Sequence, residues 1–145
     1  MSFQFTLQKV LQYREREKNT VQAKYQEAVD QFEVVATQLY ELLKRKEDIE
    51  KQAREQVSSG TSIYSLQQSQ MKLLRLQHEI QVKQRATQVA RENMHVKEQD
   101  FISKSIEVKK YEKMKEIKHE QYKAEEKRLE LLQMDELSIR LFANR

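Results

Sequence analysis

The chain has 145 residues, 34% of them charged against 38% apolar, with one glycine, Gly60, and no proline, cysteine or tryptophan. A mean hydropathy of -0.92 excludes a thick core, and the lack of cysteine excludes a disulfide framework and fits a reducing compartment. The net charge of +4 is a weak basic excess in so charged a chain.

Glu, Gln, Lys, Leu, Arg and Ala dominate, all good helix formers, and long helices paired along a narrow apolar seam are the class this profile predicts. Disorder is the competing reading of low hydropathy, but the apolar residues are periodic and proline is absent. The opening Met1-Ser2-Phe3-Gln4-Phe5 carries no basic region followed by an apolar stretch, so no secretory signal is expected. No apolar run approaches the roughly 18 residues of a bilayer span. A soluble intracellular chain is therefore the expectation.

The first helix is predicted over about residues 3–57. From Val21, apolar residues recur at alternating steps of four and three: Tyr25, Ala28, Phe32, Val35, Leu39, Leu42, then Lys46, Ile49 and Ala53. This is the repeat of about 3.5 residues that winds two helices around each other. Only Lys46 breaks it, and its aliphatic stem can lie along the seam. Extended backwards, the register gives Leu7, Leu11, Arg14 and Lys18.

The one break is Ser58-Ser59-Gly60-Thr61-Ser62, a turn over about residues 58–62. Glycine tolerates the left-handed conformation that ends a helix, and Thr61 or Ser62 can cap the next one. A connection this short makes two long helices antiparallel neighbours.

The second helix is predicted over about residues 62–142. Its seam repeats every seven residues from Leu73 through Ile80, Thr87, Met94, Phe101, Val108, Lys115 and Tyr122 to Leu129. A more polar companion track runs through Leu76, Lys83, Ala90, Lys97, Lys104, Tyr111, Lys118, Glu125, Leu132 and Ile139. Antiparallel pairing about Gly60 sets Phe3 opposite roughly Ile117. At 1.5 Å per residue the helices would be about 80 Å and about 120 Å long, leaving about 25 C-terminal residues without an intrachain partner. That projection is apolar, with Leu129, Leu131, Leu132, Met134, Leu137, Ile139, Leu141 and Phe142, which marks a docking site; curling back or self-association is the alternative. The fold class is thus all-α, one antiparallel coiled-coil hairpin over residues 1–145 with a projecting C-terminal end.

Catalytic chemistry has no footing here. A single glycine excludes phosphate-cradling loops, so no cofactor is expected. His78, His95 and His119 lie too far apart to share a metal, and neither His78-Glu79 nor His119-Glu120 has the second histidine of a zinc-protease helix. Without a dry pocket, acid–base and nucleophilic constellations have nowhere to work. Lys104, Lys109, Lys110, Lys113, Lys115 and Lys118 stand among Glu107, Glu112 and Glu116. A solvated, ion-paired face accounts for that mixture, with a phosphate-binding or acidic-partner stripe as the alternative. Tyr13, Tyr40 and Tyr64 lie off the seam and are candidates for external contacts. No aromatic–basic interleaving suggests a single-strand nucleic-acid platform.

The block Phe3-Gln4-Phe5-Thr6-Leu7-Gln8-Lys9-Val10-Leu11-Gln12-Tyr13-Arg14-Glu15 resembles the start of the flagellar FliJ family, small coiled-coil proteins of the bacterial flagellar export apparatus. The likeness continues through Gln38-Leu39, the Gly60 turn, Glu125-Glu126-Lys127-Arg128-Leu129 and Asp135-Glu136-Leu137. It implies a non-catalytic cytoplasmic stalk at the membrane, linking a hexameric export ATPase to the cytoplasmic domain of an export gate protein. Export chaperones and the ATPase regulator are further partners it implies, and flagellum assembly, motility and chemotaxis the processes served. By position, the family's gate-contacting surface falls on Gln38, Leu42, Ile49 and Leu76, with Arg45, Lys72 and Lys83 departing from its pattern. Leu42 and Leu76 are also seam positions, so packing is the rival reading for both. The ATPase-facing end falls on Leu129, Leu132, Leu137, Ile139 and Phe142. A generic coiled-coil scaffold is the alternative function, and a nucleic-acid or anionic-membrane binder using Lys104 to Lys118 is a second.

Overall fold

A computed structural model describes residues 2–144. Two helices account for almost all of it: α1, Gln8–Ser59, and α2, Ile63–Ala143. Each unit described below is an antiparallel pairing of α1 with α2, so the all-α antiparallel hairpin expected from the 3.5-residue repeat is the architecture observed.

Contacts divide the chain into two compact units, Val21–Phe101 and Met1–Thr20 with Ile102–Arg145. The first is the hairpin proper. Val21, Ala28, Leu76, Ile80 and Thr87 are its buried residues, with Ile80 only 1% exposed. The Thr87 hydroxyl is accommodated there because its Oγ1 donates to the Lys83 carbonyl at 2.7 Å, within the helix. The Tyr25 and Phe101 rings stack at 6.1 Å, and the Arg91 guanidinium lies 5.5 Å from the Phe32 ring. Every seam position named from Val21 to Ala53 is buried or half-buried, Lys46 included. Lys46 keeps its charge satisfied at the edge, with Nζ donating to Gln77 Oε1 at 3.0 Å and lying 4.0 Å from Glu50.

At the turn, Gly60 takes φ +82°, in the left-handed region. Ser62 Oγ accepts from the Ser65 amide at 3.2 Å, capping α2.

The second unit joins the two ends of the chain. Phe5, Leu11 and Val108 are its buried residues. The first helix starts five residues later than the sequence suggests, at Gln8 and not Phe3, with the Phe5 carbonyl accepting from the Gln8 amide at 3.1 Å. Phe3 lies against His119 and Tyr122, at 4.9 and 5.5 Å between ring centroids, beyond the expected Ile117. The connection centres on Thr61 rather than Gly60, and a non-helical segment covers more length per residue than a helix. The seam of α2 shifts accordingly. Lys118, placed on it by the heptad, is exposed, and His119 is half-buried in its stead.

Candidate functional site

The turn-side candidates Gln38, Leu42, Ile49 and Leu76 all come from the hairpin unit, and they line two adjoining grooves. One takes Gln38, Leu42 and Arg45 from α1 and His78, Glu79 and Lys83 from α2. The other takes Arg45 and Ile49 from α1 and Lys72, Leu76 and Glu79 from α2. Arg45 and Glu79 belong to both. The spacing of 38, 42, 45 and 49 is that of neighbours on one helix face, which is why residues eleven positions apart share a surface.

The four do not contribute alike. Leu76 is 5% exposed and faces the seam, so the packing reading holds for it. Leu42 and Ile49 are half-buried and form apolar floor, while Gln38 is exposed and accepts from Lys83 Nζ at 2.8 Å. Arg45, Lys72 and Lys83 all stand in the groove walls. The surface open to a partner is therefore charged walls over a narrow apolar floor.

The terminal candidates are different in kind. Leu129, Leu132, Leu137, Ile139 and Phe142 are all exposed, Phe142 at 77%, and so is every other described residue after Tyr122. At about 100° per residue Leu129, Leu132, Ile139 and Phe142 fall on one side of α2, and the exposed Leu131, Met134, Leu137 and Leu141 carry apolar surface round the other. No single stripe faces one way. Phe3, on Tyr122, sits at the base of this free segment. Just beyond, Arg128 Nε donates to Glu125 Oε2 at 3.2 Å, and the paired guanidinium holds the Glu125 carboxyl below its ordinary value.

The family described as flagellar FliJ protein matches residues 3–145. The chain belongs to the flagellar FliJ family. It is 35% identical to the flagellar FliJ protein of Bacillus subtilis (strain 168) over 142 residues, covering 98% of this chain and 97% of that one. A solved chain described as a YscO homolog from Chlamydia trachomatis superposes with a TM-score of 0.65 at 17% identity, covering 97% of this chain and 95% of the other. That likeness is one of fold.

Two features of this FliJ-family chain escaped the sequence reading. Val82, Val89 and Val96 recur at seven residues off the seam and are all exposed. With Val34, Val35, Ala86 and Ala90 the middle of that track forms an apolar groove edged by Glu27 and Asp30. The heptad spacing was the signal, hidden by the stronger seam beside it. The second feature is a charged cluster in the terminal unit, where Glu17 meets Arg14 at 3.1 Å and Lys104 at 3.5 Å. Here two of the polar seam positions, Arg14 and Lys104, share one carboxylate across the helix pair. Among the described residues no group of three or more His, Cys, Asp or Glu could hold a metal, and no helix is long and apolar enough to cross a membrane.

Proposed function

We propose that this chain is a non-catalytic stalk of the flagellar protein export apparatus, on the cytoplasmic side of the cell membrane. It would couple the hexameric export ATPase to the cytoplasmic domain of the export gate protein. Its loss would then stop flagellum assembly and with it motility and chemotaxis. Membership of the FliJ family supplies the setting.

The observation that carries the reading is the C-terminal segment of α2. From Leu129 to Phe142 the helix shows apolar side chains on every side, with Glu130, Asp135, Glu136 and Arg140 among them, and such a surface is covered in full only when surrounded. Leaving each leucine in water forfeits roughly 1.5–3 kcal/mol relative to full burial. A flat groove would cover one side only, whereas a socket at the centre of a ring covers all of them. Leu129, Leu132, Leu137, Ile139 and Phe142 are the residues assigned to that contact, with Glu125 and Arg128 as a charged collar that orients it. Gln38, Leu42 and Ile49 are assigned to the gate, and Leu76 supports them from beneath. Export chaperones and the ATPase regulator are assigned as further partners.

Deleting residues 129–145 tests the ATPase contact. Those described among them are exposed, so the shortened chain should keep its helicity and melting midpoint. Stimulation of the cognate ATPase should disappear. Full stimulation by a folded, shortened chain would overturn the stalk reading.

A further inference from the structure

On α2 the exposed valines belong to a second repeat that the hairpin leaves open. Val82, Ala86, Val89, Asn93 and Val96 follow one another at steps of four, three, four and three, the spacing of a coiled-coil seam. Val82, Val89 and Val96 are half or more exposed, and Ala86 is half-buried. The stripe lies about 100° round α2 from the track of Ile80, Lys83, Thr87 and Ala90 that meets α1. A surface of this period fits another helix, which can lie on it without displacing α1.

The charges beside the stripe select which helix. Its inner edge, Lys83, Ala90 and Lys97, is half-buried towards α1. Its outer edge, His78, Arg85, Glu92 and Gln99, is exposed throughout. Arg85 and Glu92 stand two turns apart, too far to pair with each other, and among the described residues neither has an ion-pair partner. Run in the opposite direction, that edge is its own complement.

We propose that a second copy of this chain covers the stripe, its α2 running antiparallel about a two-fold axis level with Thr87 and Gln88. That register packs Ala86 on the second copy's Val89 and Val82 on its Asn93. It sets Arg85 against the second copy's Glu92 and Arg75 against its Asp100, each twice by symmetry. No like charges face each other on α2: Glu79 meets Val96, and Arg91 and Glu98 lie on the far side of the helix. A parallel pair would turn the outer edge towards the inner one, which α1 already occupies. On the α1 side Val34 continues the apolar surface, while Glu27 and Asp30 edge the groove. These carboxylates keep their water, because the stripe points about 100° away from α1 and leaves the two α1 helices apart. The stripe is about 21 Å long on a helix about 10 Å wide, and so buries well under the roughly 800 Å² per partner of a standard interface. The dimer is therefore weak and reversible, helped by helices that the hairpin has already formed. Val82 also lines the groove with Gln38 and Leu42, so a partner seated there competes with the second copy.

The inference goes beyond the stalk reading, and sedimentation equilibrium of the full chain tests it without any other protein. A dimer with a dissociation constant on the order of 0.1 mM is expected. Val89→Asp should leave the chain monomeric, with its circular dichroism unchanged because the site is exposed. Arg85→Glu and Glu92→Arg should each weaken pairing about ten-fold, and Arg85→Glu/Glu92→Arg should restore it to within about two-fold. A parallel pair gives no such rescue. Deleting residues 129–145 should leave the dimer in place. A chain still monomeric at about 1 mM would overturn the inference. So would single reversals that the double variant fails to rescue. A dimer that survives Val89→Asp, or one that vanishes with residues 129–145, would place the contact elsewhere and overturn it as well.

Discussion

Glu17 shows what a charged layer does inside a narrow seam. Its carboxylate accepts from the Tyr13 hydroxyl, from Arg14 Nη1 at 3.1 Å, and lies 3.5 Å from Lys104 Nζ across the helix pair. The Tyr13 hydroxyl, with help from Arg14 and Lys104, holds Glu17 below the ordinary 4.5, against some loss of hydration. The same hydrogen bond holds the Tyr13 phenol above 10.0. A lowered carboxyl stabilises the fold when ionised, so this contribution is full above pH 4.5 and vanishes as pH falls through the folded-state value. For the raised phenol the contribution is present below pH 10.0 and lost as pH climbs past the folded-state value. Titration by NMR should find Glu17 low and Tyr13 high, and Glu17→Gln should return Tyr13 towards its ordinary value. At the turn-side grooves, burial separates packing from presentation. Leu76→Ala should cost about 2–5 kcal/mol in urea unfolding. Gln38→Ala should stay within about 0.5 kcal/mol while altering only partner binding.

The elements were largely written in the spacing of apolar residues. The track from Val21 to Ala53 is buried or half-buried at every position, because a helix partnered by a helix repeats its contacts at a constant step. Gly60 marked the turn for a backbone reason: its φ of +82° suits glycine, and a Cβ there would meet nothing within 4 Å. Gly60→Ala should therefore cost about 1–2 kcal/mol, all of it backbone strain, with helicity unchanged by circular dichroism. Where the sequence misled was the far end of the seam. Extrapolating the heptad put Lys118 inward, but its partner across the gap is the non-helical segment with Phe3 and Phe5, not another helix. Aromatic rings on an irregular segment select the neighbour they can reach, and that is His119. The free end of α2 was legible from unequal arm lengths alone. The grouping of Gln38, Leu42, Ile49 and Leu76 came from family likeness, since a period distinguishes seam from surface but not one surface from another.

For the whole molecule, chain topology orders the two units. The Val21–Phe101 unit closes through the three residues between Ser59 and Ile63, so its strands of helix meet at little entropic cost. The other unit pairs residues 2–20 with 102–122, which are separated in sequence by the whole of the hairpin unit. With that unit unfolded, the intervening 81 residues would form an open loop, whose closure costs on the order of 4 kcal/mol beyond a fixed term. Few buried side chains are there to offset it: Phe5, Leu11 and Val108 in the terminal unit. The terminal pairing should thus depend on the hairpin, and the hairpin should not depend on it. Amide hydrogen exchange checks both directions. Val108→Ala, at a site 2% exposed, should speed exchange in residues 8–20 and 102–122 and leave 21–101 protected. Ile80→Ala should speed exchange in both units, because opening the hairpin also opens the loop that the terminal pairing must close. Protection of 8–20 that survives Ile80→Ala unchanged would show that the ends pair on their own strength, and the ordering argued from loop closure would be wrong.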